Sequence, residues 1–177
     1  MNNDIFKRAH HNPPHLFLPD TLYMLTASSY QQEPILLSPV RKLAWLESFI
    51  KAAHIYQWTV IAWVVLHNHY HAILRSPEKA GTLSKFVSSY HKFTARQWNI
   101  EDEMIGRKVW WNYWDTCLRT EEDYYNRLRY VFWNPVKHGL CDAPDDYKFS
   151  NYKEFLINWQ VSFNFTDMDE VNDVPEF

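Results

Sequence analysis

Two histidines stand two positions apart, His69 and His71, within Leu66-His67-Asn68-His69-Tyr70-His71-Ala72-Ile73-Leu74. The flanks read as strand. Thr59 to Leu66 is rich in β-branched and aromatic residues, and Ile73-Leu74 continues the apolar pattern. Side chains alternate along a strand, so both imidazoles face one way, about 6–7 Å apart. Rings at that spacing can converge on one metal ion or one phosphate. A lone histidine on a half-buried strand is usually structural, so the pair gains weight only from its surroundings.

A second group of reactive types follows. Thr120-Glu121-Glu122-Asp123 resembles a capping box, with Asp at the position usual for Glu or Gln, and predicts a helix to about Asn134, stopped by Pro135. Tyr130 and Asn134 are four apart and share a face of that helix if it persists so far. The residue before a proline disfavours the α region, so Asn134 stands where the chain is expected to leave the helix. Its side-chain carbonyl could add an oxygen donor to the two imidazoles. A phenol with a pKa near 10 is a poor nucleophile at neutral pH. It needs a base, a cation or a polarised substrate. A divalent ion held by His, His and Asn would act as Lewis acid on a phosphate oxygen. In-line attack by Tyr130 would then give a covalent phosphotyrosine. The plain alternative for Tyr130 is a packing residue with a satisfied hydroxyl.

The elements that must position these groups can be read coarsely. Leu22 to Ser28 predicts a first strand. Ser38-Pro39 opens a helix to about His54, with Leu43, Leu46, Phe49, Ile50 and Ala53 on one face. Thr59–Leu66 and His69–Arg75 are strands, joined as a tight hairpin or as one long bent strand. A helix from Thr82 to about Asn99 carries Leu83, Phe86, Val87, Tyr90 and Phe93 as its apolar stripe. Val109 to Arg119 is an aromatic strand, and a short helix is expected near Tyr152 to Asn158. The order β-α-β-β-α-β-α points to an α+β fold, an antiparallel sheet covered by helices.

Composition narrows the function classes. With 177 residues, 46% hydrophobic and 18% aromatic, the chain can bury a proper core. Three glycines exclude the Gly-rich phosphate loops of the common nucleotide-binding classes. Cys117 and Cys141 form no CxxC and read as thiols of a reducing compartment. No apolar leader or bilayer-length segment stands out, which predicts a cytoplasmic protein. The net charge is −3, but 166–177 holds five acids and no Lys or Arg. That stretch reads as a solvated acidic tail behind one domain spanning 1–165, with residues 1–20 as an extended arm. Outside the tail there are 18 basic and 16 acidic residues.

These residues carry a resemblance. Asn68-His69-Tyr70-His71 resembles the histidine–hydrophobic–histidine (HUH) signature of single-strand DNA transposases with one catalytic tyrosine. Leu128-Arg129-Tyr130-Val131-Phe132-Trp133-Asn134-Pro135-Val136-Lys137-His138-Gly139-Leu140 resembles their tyrosine helix, in the branch associated with repetitive extragenic palindromes (REP). Val109-Trp110, Tyr113-Trp114-Asp115 and Asp146-Tyr147-Lys148-Phe149-Ser150 match further, so the resemblance spans roughly 8–152. It implies a ferredoxin-like or RRM-like antiparallel sheet with helices on one face. It implies His69, His71 and Asn134 as ligands of Mg²⁺ or Mn²⁺, and Tyr130 as nucleophile. The implied reaction cuts and rejoins single-stranded DNA beside hairpins, leaving a 5′-phosphotyrosine and a free 3′-hydroxyl. A second copy of the chain is a candidate partner.

Two positions depart from the pattern. Tyr70 stands where a smaller aliphatic is usual, and His67 stands where proline is frequent. His67 shares the strand parity of His69 and is a rival for the metal. Imidazole donors also suit Zn²⁺. Lys85, Lys92 and Arg96 lie on nearby parts of one helix face and are candidate phosphate contacts, Lys92 being favoured at the site by the resemblance; a solvated face is the plain alternative. Arg107-Lys108 precedes the aromatic strand and is a further candidate for the DNA backbone. Of the nine tryptophans most belong in the core, and Trp110 and Trp111 have opposite parity, so one of them is a candidate for exposure and base stacking. Two other functions compete. One is a non-catalytic or domesticated hairpin-binding protein of the same fold. The other is an unrelated metallohydrolase in which Tyr130 is structural.

Overall fold

The structure, a computed structural model, describes residues 6–9, 12–16 and 18–162, with side chains from 18 to 158. The acidic tail expected over 166–177 lies outside them. Part of the expected extended arm pairs as a hairpin, β1 (Phe6–Ala9) with β2 (Asn12–Leu16). There follow β3 (Leu22–Ser29), α1 (Pro39–Tyr56), β4 (Thr59–Val65), β5 (His69–Arg75), α2 (Leu83–Glu101), β6 (Trp110–Leu118), α3 (Glu121–Lys137) and α4 (Tyr152–Ser162). The last four strands form one antiparallel sheet in the order β4-β5-β3-β6. With its β-α-β-β-α-β connections this is the ferredoxin-like α+β arrangement expected. No helix among the described residues is long and apolar enough to cross a membrane. Both cysteines are free.

β4 and β5 form a tight hairpin, with Val65 opposite Tyr70 and Leu66 N–H donating to the His69 carbonyl at 2.8 Å. The turn has no glycine to shape it. It is held from outside: Leu36 N–H donates to the His67 carbonyl (2.9 Å) and Ser29 N–H to that of Asn68 (2.7 Å). Buried backbone groups need such partners.

Strand alternation divides the core in two. Tyr23, Leu25, Ala27, Tyr70, Ala72 and Leu74 face α1 and α2. Met24, Ala62, Val64, Ile73 and Leu118 face α3, which adds Leu128, Val131 and Phe132, and Phe155 of α4 joins them. Helices therefore cover both faces, where one covered face was expected. The cause is α3, whose own apolar stripe finds burial only on the face that α1 and α2 leave free.

Three helices differ from expectation. α1 buries Trp45, Phe49, Ala52 and Ala53, while Leu43 and Ile50 are exposed. Trp45 stacks on Phe49 at 4.7 Å and packs on Tyr70 at 4.5 Å, and these large rings set the helix rotation. In α2 the buried stripe continues from Tyr90 to Thr94 and Trp98, which leaves Phe93 exposed. α3 runs through Pro135 to Lys137. Its end is set by Gly139, in the left-handed region at φ 65°, whose N–H donates to the Val136 carbonyl while Leu140 N–H donates to that of Pro135. At the other end Thr120 accepts from Asp123 N–H, and Asp123 accepts from Arg119 N–H rather than from that of the cap itself.

Candidate active site

β5 is an interior strand, bonded to β4 on one side and β3 on the other, so its side chains are rigidly placed. His69 and His71 share the face that looks at α3, with ring centroids 5.1 Å apart. Each imidazole is fixed through Nδ1. For His69 the partner is Asn68 Oδ1 at 2.7 Å, and for His71 it is Thr26 Oγ1 on β3 at 2.8 Å. Such outer partners hold a ring's tautomer and direction. The other ring nitrogens face α3.

Asn134 lies in the helical part of α3, not beyond its end, and is buried. Its Oδ1 is 3.1 Å from His69 Nε2. With Nδ1–H donated to Asn68, His69 Nε2 carries a lone pair, which the amide oxygen meets with lone pairs of its own. Turning the amide would pair one atom and orphan the other. His71 Nε2 and Asn134 Nδ2 are both buried without a partner. Unmatched polar atoms at one spot are costly in a packed core, and two nitrogens and an amide oxygen held there suit a bound cation. Among the described residues no three His, Cys, Asp or Glu side chains form a metal cluster, so the amide is needed to complete this set.

Tyr130 sits one turn before Asn134 with its ring edge-on to His71, centroids 5.0 Å apart. It is half-buried, and among the described residues none is hydrogen-bonded to its hydroxyl. That disfavours the plain alternative of a satisfied packing tyrosine. Arg127, on the same helix face, is close enough to His71 to oppose its protonation.

Burial keeps both rings neutral. It pulls His69 down to about 4, against the raising effect of the Asn134 contact and with help from His138. It pulls His71 well below the usual histidine range, with His69, His138 and Arg127 adding to the effect. Neutral imidazoles are the form that binds a metal.

Sequence reasoning missed three of the neighbours. His138, exposed just past the end of α3, has its ring 5.0 Å from that of His69; the spacing Tyr130, Asn134, His138, one turn each, was the available signal. Asn68 was quoted in the motif without a role, and Thr26 becomes visible only through strand register. His67 does not join the set. It lies in the turn, where burial, helped by Lys42 of α1, lowers its pKa. Lys85, Lys92 and Arg96 are exposed on α2, in the layer across the sheet, and are not brought to the histidines. Trp110 is buried and Trp111 is exposed.

No family model matches the chain. In sequence it is 27% identical over 135 residues to the REP-associated tyrosine transposase of Escherichia coli strain K12, a match covering 73% of each chain. The similarity is to proteins named as REP-associated tyrosine transposases. A provisionally named REP-associated tyrosine transposase of Haemophilus influenzae is 26% identical over 107 residues, 55% of this chain and 60% of that one. The fold matches a solved REP-associated tyrosine transposase bound to a REP hairpin, with TM-score 0.71 and 23% identity over 92% of both chains.

Proposed function

We propose that this chain is a transposase of the HUH tyrosine type that cleaves and rejoins single-stranded DNA beside hairpins through Tyr130. The observation that carries this reading is Tyr130 standing against His71 on the same helix that brings Asn134 to His69. The names of the relatives support it. His69, His71 and Asn134 would hold Mg²⁺ or Mn²⁺, which supplies Lewis acidity to a phosphate oxygen when bound.

The remaining work belongs to the chain. The sheet and α3 hold the phosphate's surroundings rigid, so that Tyr130 is oriented before the DNA arrives. Its hydroxyl oxygen attacks phosphorus and loses its proton. The Tyr130 oxygen–phosphorus bond forms as the phosphorus–O3′ bond breaks, and the departing O3′ takes a proton. The products are a 5′-phosphotyrosine and a 3′-hydroxyl. Rejoining reverses the step with the incoming 3′-hydroxyl as nucleophile. Arg127 sets positive charge on the helix face where the phosphate would lie.

The test is incubation of the chain with labelled hairpin DNA from beside its own gene, with Mg²⁺ or Mn²⁺, followed by denaturing gels. A protein–DNA adduct is expected that needs both the cation and Tyr130. Cleavage that survives Tyr130→Phe would favour the metallohydrolase instead. Binding without any adduct would favour a hairpin-binding protein.

A further inference from the structure

The helix α3 lies mainly over β4 and β5 and touches β6 less, while β2 also lies against β6. Register identifies what stands on β3 and β6. Thr26 is opposite both His71 and Trp114, so Trp114, Thr26 and His71 form one cross-strand row with side chains on one face. Trp114 is thus two strands from His71, about 10 Å at ordinary strand spacing. Its indole is 41% exposed, and its neighbours on that face, Asn112 and Thr116, are exposed as well. Among the described residues no ring packs against this exposed indole.

Trp111 is also 42% exposed, but its ring is occupied. Tyr30 lies against it at 5.2 Å, and Lys108 Nζ sits 3.9 Å from its centroid and 4.7 Å from that of Tyr30. A β-bulge sets Ser28 of β3 opposite the pair Trp111-Asn112, which brings this clamped cation near the row of Ser28 and His69. Of the two exposed indoles on β6, Trp114 is the one that makes no ring contact among the described residues.

We propose that Trp114 stacks on an unpaired base beside the phosphate that Tyr130 attacks, with Lys108, braced by Trp111, on the neighbouring backbone phosphate. This rests on the function proposed above and adds the subsite that holds the single strand. Stacking suits DNA of any sequence, because every base has a π-face. It leaves sequence choice to other contacts.

The test is equilibrium binding of the full chain to a hairpin oligonucleotide with unpaired flanks, without cation, together with a series in which one flank nucleotide at a time is abasic. Trp114→Ala is expected to bind about 5- to 150-fold more weakly, as loss of one stacked base predicts, and Trp114→Phe within a few-fold of wild type. One abasic position should weaken wild type by a similar factor yet leave Trp114→Ala unaffected. A hairpin without flanks should bind both equally. Equal binding of the flanked hairpin by wild type and Trp114→Ala, or abasic effects that multiply with the substitution, would overturn the proposal alone. Flank-dependent binding with no adduct would instead sink the transposase reading and leave the stacking subsite standing. No DNA binding by wild type would sink both.

Discussion

His91 and His71 are both largely buried imidazoles, packed on opposite faces of one sheet. His91, on α2, lies flat on Trp110 with centroids 4.4 Å apart and planes 6° apart. Its Nε2 is 2.9 Å from the Tyr70 hydroxyl, which in turn meets that of Tyr90. Burial holds it down to about 3 and raises the Tyr70 and Tyr90 hydroxyls. His71 is fixed by Thr26 through one nitrogen and holds the other without a partner. The first pairs its inward ring nitrogen with two buried hydroxyls in a network that serves stability. The second keeps a ring nitrogen unpaired beside an equally unmatched amide. Burial and a depressed pKa do not separate the two roles; hydrogen-bond completeness does.

Substitutions should separate them as cleanly. His71→Ala is expected to weaken Mn²⁺ binding by more than about 100-fold, because even outer partners of metal ligands are worth 10- to 100-fold. The Mn²⁺-dependent rise in Tm should vanish. His91→Ala should lower stability by about 2 kcal/mol, or roughly 4–8 °C in Tm, and keep the Mn²⁺ shift. Loss of the shift in His91→Ala would break the contrast. Thr26→Val keeps the shape but leaves His71 Nδ1 unpaired, so a drop in Mn²⁺ affinity of about 10- to 100-fold is expected by calorimetry, beside a loss of about 1–3 kcal/mol in stability.

The pH dependence comes next. A depressed histidine binds its proton in the unfolded chain, near 6.5, before it does in the folded one. Without added cation, stability should therefore be level above pH 7 and fall as pH drops from about 6.5 towards 3, by about 1.4 kcal/mol per unit for each such histidine. His91→Phe should reduce that slope by one proton's worth in urea titrations at stepped pH. The smallest effect is expected at the cap. Thr120→Ala should cost about 1 kcal/mol and leave Mn²⁺ binding intact, since the cap is about four turns from Asn134.

The strands and the β-α-β-β-α-β order were legible because alternation and helical period are local signals. So were His69, His71, Tyr130 and Asn134, which lie in two short motifs. What stayed hidden depended on contacts distant in sequence. Which face of α1 is buried was decided by Trp45 meeting Phe49 and Tyr70, so Leu43 and Ile50, apolar on paper, ended in water. The path of α3 through Pro135 was missed because a proline in the last turns loses little once its ring is packed in the core and Gly139 supplies the stop. Thr26 and Trp114 look ordinary in sequence. Only pairing of β3 with both β5 and β6 sets them in the row of His71.

The unbroken run of α3 also has a mechanical consequence. Tyr130 and Asn134 ride one rod, a single turn apart, while the imidazoles are anchored in the middle of a sheet. The phenol cannot retreat from the histidines unless the amide retreats with it. Under the proposed chemistry, a DNA end joined to Tyr130 could therefore not be carried away by this helix while the donor set stayed whole. Capture and release of the strand would then be interlocked, as two strokes of one part.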